Sequence, residues 1–109
     1  MNFDVRTLPN FEREAKRLNK KYRSLKKDLL TLIKSLEKSP QQGEPIGNDF
    51  YKVRLAISSK RSGKSGGARI ITCVKIIKNV VFLTSIYDKS EKATITNQEL
   101  KLLAKQIKL

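Results

Sequence analysis

Between Gln41 and Asp49 the chain changes its rhythm. Before this stretch apolar residues recur at helical spacing, and after it they recur at every second position. A chain that switches period once in this way has to lay helices against a sheet, so an α+β fold is expected. The helical half reads as two segments. Pro9 suits a first helical turn, and Phe11, Ala15, Leu18 and Tyr22 follow on one face. Ser24 is an N-cap candidate for a second helix that turns Leu25, Leu29, Leu32, Ile33 and Leu36 inward, and Pro40 ends it. The connection from Asn19 to Arg23 is short enough to require an antiparallel hairpin, with Arg13, Lys16, Lys20, Lys26, Lys27 and Lys34 outward.

Gly43, Pro45, Gly47 and Asn48 predict a loop over 41–49. Strands are expected at 2–7, 50–57, 68–77 and 80–88, with a Ser/Gly/Lys loop at 58–67 and a turn at Lys78-Asn79. Thr96-Asn97-Gln98-Glu99 is a capping box, which opens a last helix with Leu100, Leu103 and Ile107 as its buried stripe. The predicted order is β-α-α-β-β-β-α, a single domain over residues 1–109 with its helices on one face of a largely antiparallel sheet. Alternation puts Val53, Leu55 and Ile57 on the core side with Ile70, Val74 and Ile76, and opposes Val80, Phe82 and Ile86 to Val81, Leu83, Ser85 and Tyr87. Lys52, Arg54, Arg69, Tyr87 and Lys89 then share an open face.

Charge says what such a face is for. The chain has 24 Lys and Arg against 10 Asp and Glu, a net charge of +14. From Phe50 to Tyr87 there is no carboxylate, while Lys52, Arg54, Lys60, Arg61, Lys64, Arg69, Lys75 and Lys78 are all cationic. Solubility alone would intersperse both signs. A cation-only sheet implies a polyanionic partner. Four cations beside one aromatic ring make a phosphate cradle with a stacking platform. The flexible loop cations Lys60, Arg61 and Lys64 suit long-range phosphate attraction.

Other chemistries are excluded. Without histidine, and with Cys73 as the only cysteine, the chain has no His base, no internal disulfide and no zinc ligand set, so no metal or cofactor is expected. Gly63-Lys64-Ser65 is not a P-loop, because Ser58 stands where that motif needs glycine. The N-terminal residues show no signal sequence, and the longest apolar runs, such as Val80 to Leu83, are four residues. A cytoplasmic protein with no membrane contact is expected.

Three motifs carry a family resemblance. Tyr51-Lys52-Val53-Arg54-Leu55, the Gly63–Ile71 run and Ser85-Ile86-Tyr87-Asp88-Lys89-Ser90-Glu91-Lys92 resemble the RelE/ParE superfamily of toxins, most closely its RelE- and HigB-like branch. The resemblance implies the toxin of a type II toxin–antitoxin pair: an mRNA endonuclease acting on the ribosome and neutralised by a cognate antitoxin. Carried over residue by residue, it implies that Lys52, Arg54, Arg69 and Lys89 line the active groove. Arg54 and Arg69 would hold the phosphate, Lys52 is the candidate base, and Lys89 would serve the leaving oxygen. Lys60, Arg61, Lys64, Tyr87 and Lys92 are expected to bind RNA. RelE itself carries a tyrosine near the entry to the last helix, where this chain has Thr94-Ile95, so the general base stays open. The alternatives are a ParE-like gyrase poison and an inactive nucleic-acid-binding module on the same fold.

Overall fold

The helices form where the apolar spacing puts them. In the computed structural model, which describes residues 2–60 and 66–109, α1 spans Pro9–Lys21 and α2 Leu25–Lys38. Leu18, Leu25 and Leu36 are fully buried on their inner faces. Ser24 sits at the N-cap of α2, but its hydroxyl donates to Asp28 Oδ2 at 2.9 Å and makes no cap bond. Five strands follow the alternating half and its flanks: β1 (Asp4–Thr7), β2 (Glu44–Gly47), β3 (Phe50–Leu55), β4 (Ala68–Lys75) and β5 (Val80–Asp88). A single 3-10 turn at Ser58–Lys60 follows β3, and α3 (Asn97–Gln106) opens on the capping box read from Thr96 and Glu99.

The strands lie in the order β1-β5-β4-β3-β2, antiparallel except for the parallel β1–β5 pair. This is a small α+β fold with a helical hairpin packed on a mostly antiparallel sheet. The hairpin buries Phe11, Leu18, Leu25, Leu32 and Leu36 against Val53, Ile57, Ile70, Val74, Val81, Leu83 and Ile86. Each such aliphatic side chain contributes about 1.5–3 kcal/mol before conformational entropy is subtracted.

Four details differ from the sequence reading. Part of the 41–49 loop is strand β2, which pairs with β3 through a register shift between Pro45 and Gly47. Proline is tolerated there because β2 is an edge strand, where a missing amide donor breaks no inner ladder. The last helix does not join the hairpin: Leu103, with Leu100 and Ile107, packs on the opposite face against Phe50, Ile71, Cys73, Val80, Phe82 and Tyr87. Ile76 is not a core residue, because β4 ends at Lys75 and the reversing turn leaves Ile76 and Ile77 exposed.

The fourth difference is in β5. Ile71 pairs with Ser85 and Thr72 with Leu83, so Thr84 is the extra residue of a bulge. The bulge shifts the alternation by one. Val80, Phe82 and Tyr87 share one face, and Val81, Leu83 and Ile86 share the hairpin face, correcting the expected opposition of Ile86 to Val81 and Leu83. Beyond Leu83 β1 has ended, and α1 takes over this edge. Asn10 Nδ2 donates to the Thr84 carbonyl at 3.0 Å, while the Ile86 amide donates to Glu14 Oε1 at 3.2 Å. Among the described residues no helix is long and apolar enough to cross a membrane.

Candidate nucleic-acid interface

Strand register assembles the cations. Arg54 pairs directly with Arg69, and Arg69 with Tyr87, which makes a continuous row across β3, β4 and β5. Lys52, two residues before Arg54, points to the same face opposite Ile71. Like charges opposed across a strand pair need compensation, and the Arg69 guanidinium donates to the Ala68 carbonyl at 3.2 Å. Gly67 makes this junction possible. A Cβ there would meet the Leu55 carbonyl oxygen at 2.1 Å, so only glycine lets β4 begin this close to the end of β3.

Lys89 lies one residue past β5. Its amide donates to the Gly67 carbonyl at 3.0 Å and its ammonium to the Ala93 carbonyl at 2.6 Å. Lys92 follows, with its ammonium 5.3 Å from the centre of the Tyr87 ring and ion-paired to Glu99. Burial alone would raise the Glu99 carboxyl, but the hydrogen bonds from Lys92 and Thr96 outweigh it and hold Glu99 below the usual range. At the other end, Lys52 Nζ lies 3.8 Å from Glu44 Oε2 on the edge strand. Beside it Gly43, Glu44, Lys52 and Arg54 line an open cleft of about 580 Å³.

The face is less open than alternation suggested. Arg54 is exposed, but Arg69 and Tyr87 retain only 6% and 4% of their accessible surface. The physical cause is the chain after β5: Ile95 and Leu103 pack back over this face and share an apolar cluster with Tyr87. Tyr87 is therefore not an exposed stacking platform in the free chain, and its hydroxyl is buried with no hydrogen-bond partner among the described residues.

Lys60 is the larger correction. It is not a free loop cation: its ammonium donates to Asp88 Oδ1 at 2.8 Å and stacks over the Tyr22 ring, on the hairpin side of the sheet. Arg61 and Lys64, with the Gly63–Ser65 segment, lie outside the described residues.

The sequence reading missed Asp88. It is the first carboxylate after the acid-free stretch, and it is fully buried. Desolvation pushes its carboxyl up, but hydrogen bonds from Lys60, Tyr22 and Ser90 outweigh that and hold it well below the ordinary carboxylate range. The available signal was Asp88-Lys89-Ser90. An aspartate two residues before serine at a strand end predicts an Asx-type turn, and the Ser90 amide does donate to Asp88 Oδ1 at 2.9 Å. Among the described residues, no group of three or more His, Cys, Asp or Glu side chains is placed to hold a metal ion.

Comparison with known proteins follows the same lines. The family described as "RelE toxin of RelE / RelB toxin-antitoxin system" matches residues 10–108. The structure of an E. coli RelE toxin carrying two arginine-to-alanine substitutions, in the free state, superposes with a TM-score of 0.66 at 22% identity, covering 99% of this chain and 100% of that one. The toxin–antitoxin complex RelBE2 from Mycobacterium tuberculosis gives a TM-score of 0.60 at 15% identity over 81% of this chain and 92% of its counterpart. A sequence search of curated proteins finds no match.

Proposed function

The chain belongs to the RelE toxin family, within the RelE/ParE superfamily, and we propose that it is a metal-independent endoribonuclease that cuts mRNA on the ribosome and is held inactive by a cognate antitoxin. The observation that carries this reading is the Arg54–Arg69–Tyr87 row, in which the register pairs two arginines directly across β3 and β4. Such a pair matches a phosphate that gains charge along its reaction path. Gyrase poisoning through protein contact, the ParE-like alternative, needs no such cradle.

The chemistry is transfer within the RNA itself. The 2′-oxygen bonds to the adjacent phosphorus as the bond to the 5′-oxygen breaks, leaving a 2′,3′-cyclic phosphate and a free 5′-hydroxyl. One proton leaves the 2′-hydroxyl and one reaches the departing 5′-oxygen, so no external reactant is consumed. Arg54 and Arg69 hold the non-bridging oxygens and stabilise their charge in the transition state. Lys52 is the candidate to take the 2′-proton, and Lys89 to serve the leaving oxygen. Lys92, held over the Tyr87 ring, extends the surface along the RNA. Arg61 and Lys64 add to its electrostatic attraction.

The antitoxin should bring acidic side chains to such a basic surface and apolar ones to the flanks of α3 or the hairpin. Its existence is supported by the family and by the paired architecture of the mycobacterial complex. The test is incubation of the purified protein with mRNA, with and without translating ribosomes, followed by mapping of the cut ends. Cyclic phosphate and 5′-hydroxyl termini that appear only with ribosomes are the expected result. Intact RNA together with inhibited gyrase would overturn the reading.

A further inference from the structure

Asp88 has no part in the reaction just described, yet it is the most heavily bonded side chain near it. Its Oδ1 accepts from Lys60 Nζ at 2.8 Å, from the Ser90 amide at 2.9 Å and from Ser90 Oγ at 2.7 Å. Its Oδ2 accepts from the Tyr22 hydroxyl at 2.5 Å and from Lys21 Nζ at 3.2 Å. The donors come from separate parts of the chain: the end of α1, the 3-10 turn after β3, and the turn after β5. A buried ion pair is a poor device for stability, because loss of hydration offsets most of the attraction.

Position suggests what else it does. Asp88 stands between Tyr87 and Lys89, and its own carbonyl accepts the amides of Glu91 and Lys92, each at 3.0 Å. Lys60 reaches it from the hairpin side, while Arg54, Arg69 and Tyr87 occupy the other face. The carboxylate thus grips, from behind, the turn that presents Lys89 and Lys92. We propose that Lys60 and Asp88 are a positioning pair for the candidate site, holding the 88–92 turn so that Lys89 and Lys92 stand at the end of the Arg54–Arg69–Tyr87 row. The proposal rests on the ribonuclease reading, and it assigns Lys60 to the framework of the site instead of to RNA contact.

The two roles for Lys60 separate cleanly. Lys60→Met keeps the apolar stem and removes the ammonium, whereas Lys60→Arg keeps a cation. At saturating RNA in single-turnover cleavage, a positioning role predicts at least a tenfold slower rate for Lys60→Met, an unchanged salt dependence of RNA binding, and recovery of most of the rate in Lys60→Arg. Weaker binding with a shallower salt dependence and a wild-type saturated rate would mean a direct phosphate contact and overturn the proposal. Because Lys60→Met leaves Asp88 buried without its cation, Lys60→Met/Asp88→Asn serves as the second variant. Both charges are gone in it, and it should melt cooperatively while showing the same rate loss; a wild-type rate in this folded double variant would also overturn the proposal.

Hydrogen exchange gives a readout independent of RNA. Amides of 89–92 should exchange at least tenfold faster in Lys60→Met, with β3 and β4 unchanged. If the wild-type protein cleaves nothing but this local loosening is seen, the ribonuclease reading fails and the clamp stands. Unchanged exchange removes the clamp whatever the enzyme does.

Discussion

Val53–Ile70–Ile86 and Arg54–Arg69–Tyr87 are neighbouring rows across the same three strands, displaced by one residue, and they have opposite characters. The first faces the helical hairpin and is buried and wholly apolar. The second faces α3 and pairs two arginines across β3 and β4. Because strand residues alternate between faces, a single residue of register separates the apolar row from the cationic one. One face is free to be optimised for stability while the other carries the cations.

The contrast makes its strongest demand on the apolar row. Ile70→Ala should cost about 2–5 kcal/mol of unfolding free energy, as for other fully buried aliphatic truncations, measured by urea denaturation. A loss well below 1 kcal/mol would mean that the hairpin face is not the main source of stability. In the other row, Arg69→Ala should lose about 2–4 kcal/mol of transition-state stabilisation, a fall in cleavage of about 30- to 1,000-fold, while the protein still unfolds cooperatively. Full toxicity from soluble Arg69→Ala protein would remove the arginine pair from the chemistry.

Alternation makes much of this contrast legible in the amino-acid sequence. In β3, Val53 and Leu55 against Lys52 and Arg54 is a clean period-2 pattern, and the capping box of α3 is spelled out by Thr96 and Glu99. Thr84 breaks the same reasoning in β5, because a bulge leaves no compositional mark when the extra residue is itself a β-branched strand former. β2 is hidden by Gly43, Pro45 and Gly47, which signal a turn whether or not the residues between them pair. The burial of Arg69 and Tyr87 depends on where α3 docks, and an amphipathic stripe specifies that a helix docks without saying on which face. Asp88 escapes because a lone carboxylate in a basic chain says nothing about the distant Lys21, Tyr22 and Lys60 that come to surround it.

Acid probes the junction of the two faces. Asp88 is held well below its ordinary value of 3.8 by Lys60, Tyr22 and Ser90, which together outweigh the upward push of desolvation, and Lys21 lies against the same carboxylate. Nearby Glu91 is also depressed, by Arg17 and Lys21. A depressed carboxyl adds stability that is present in full above its unfolded value and is lost as pH falls toward its folded one. Urea unfolding should therefore be flat between pH 7 and 5 as far as Asp88 is concerned, then weaken below pH 4 by up to about 1.4 kcal/mol per pH unit for this group. Asp88→Asn should flatten that limb; an unchanged acid limb would place the sensitivity elsewhere.

The smallest effect concerns Tyr87. Its hydroxyl is buried with no partner among the described residues, so Tyr87→Phe should leave stability unchanged or raise it by up to about 1 kcal/mol. Cleavage should persist if the ring serves by its face alone. Lost cleavage in a folded Tyr87→Phe protein would give the hydroxyl a chemical role and make the second row more polar than described.

The parallel pairing of β1 with β5 also sets a timetable. Asp4 is made long before Val80, its partner across the sheet. At about 5–20 residues per second the interval is roughly 4 to 15 seconds. During it the hairpin and β3 emerge with no central strand to join them, and Arg54 has neither Arg69 nor Tyr87 beside it for much of that time. The arginines meet only once β4 has followed β3 out, and the row gains Tyr87 later still, with β5, so until then a growing chain carries them as scattered charges.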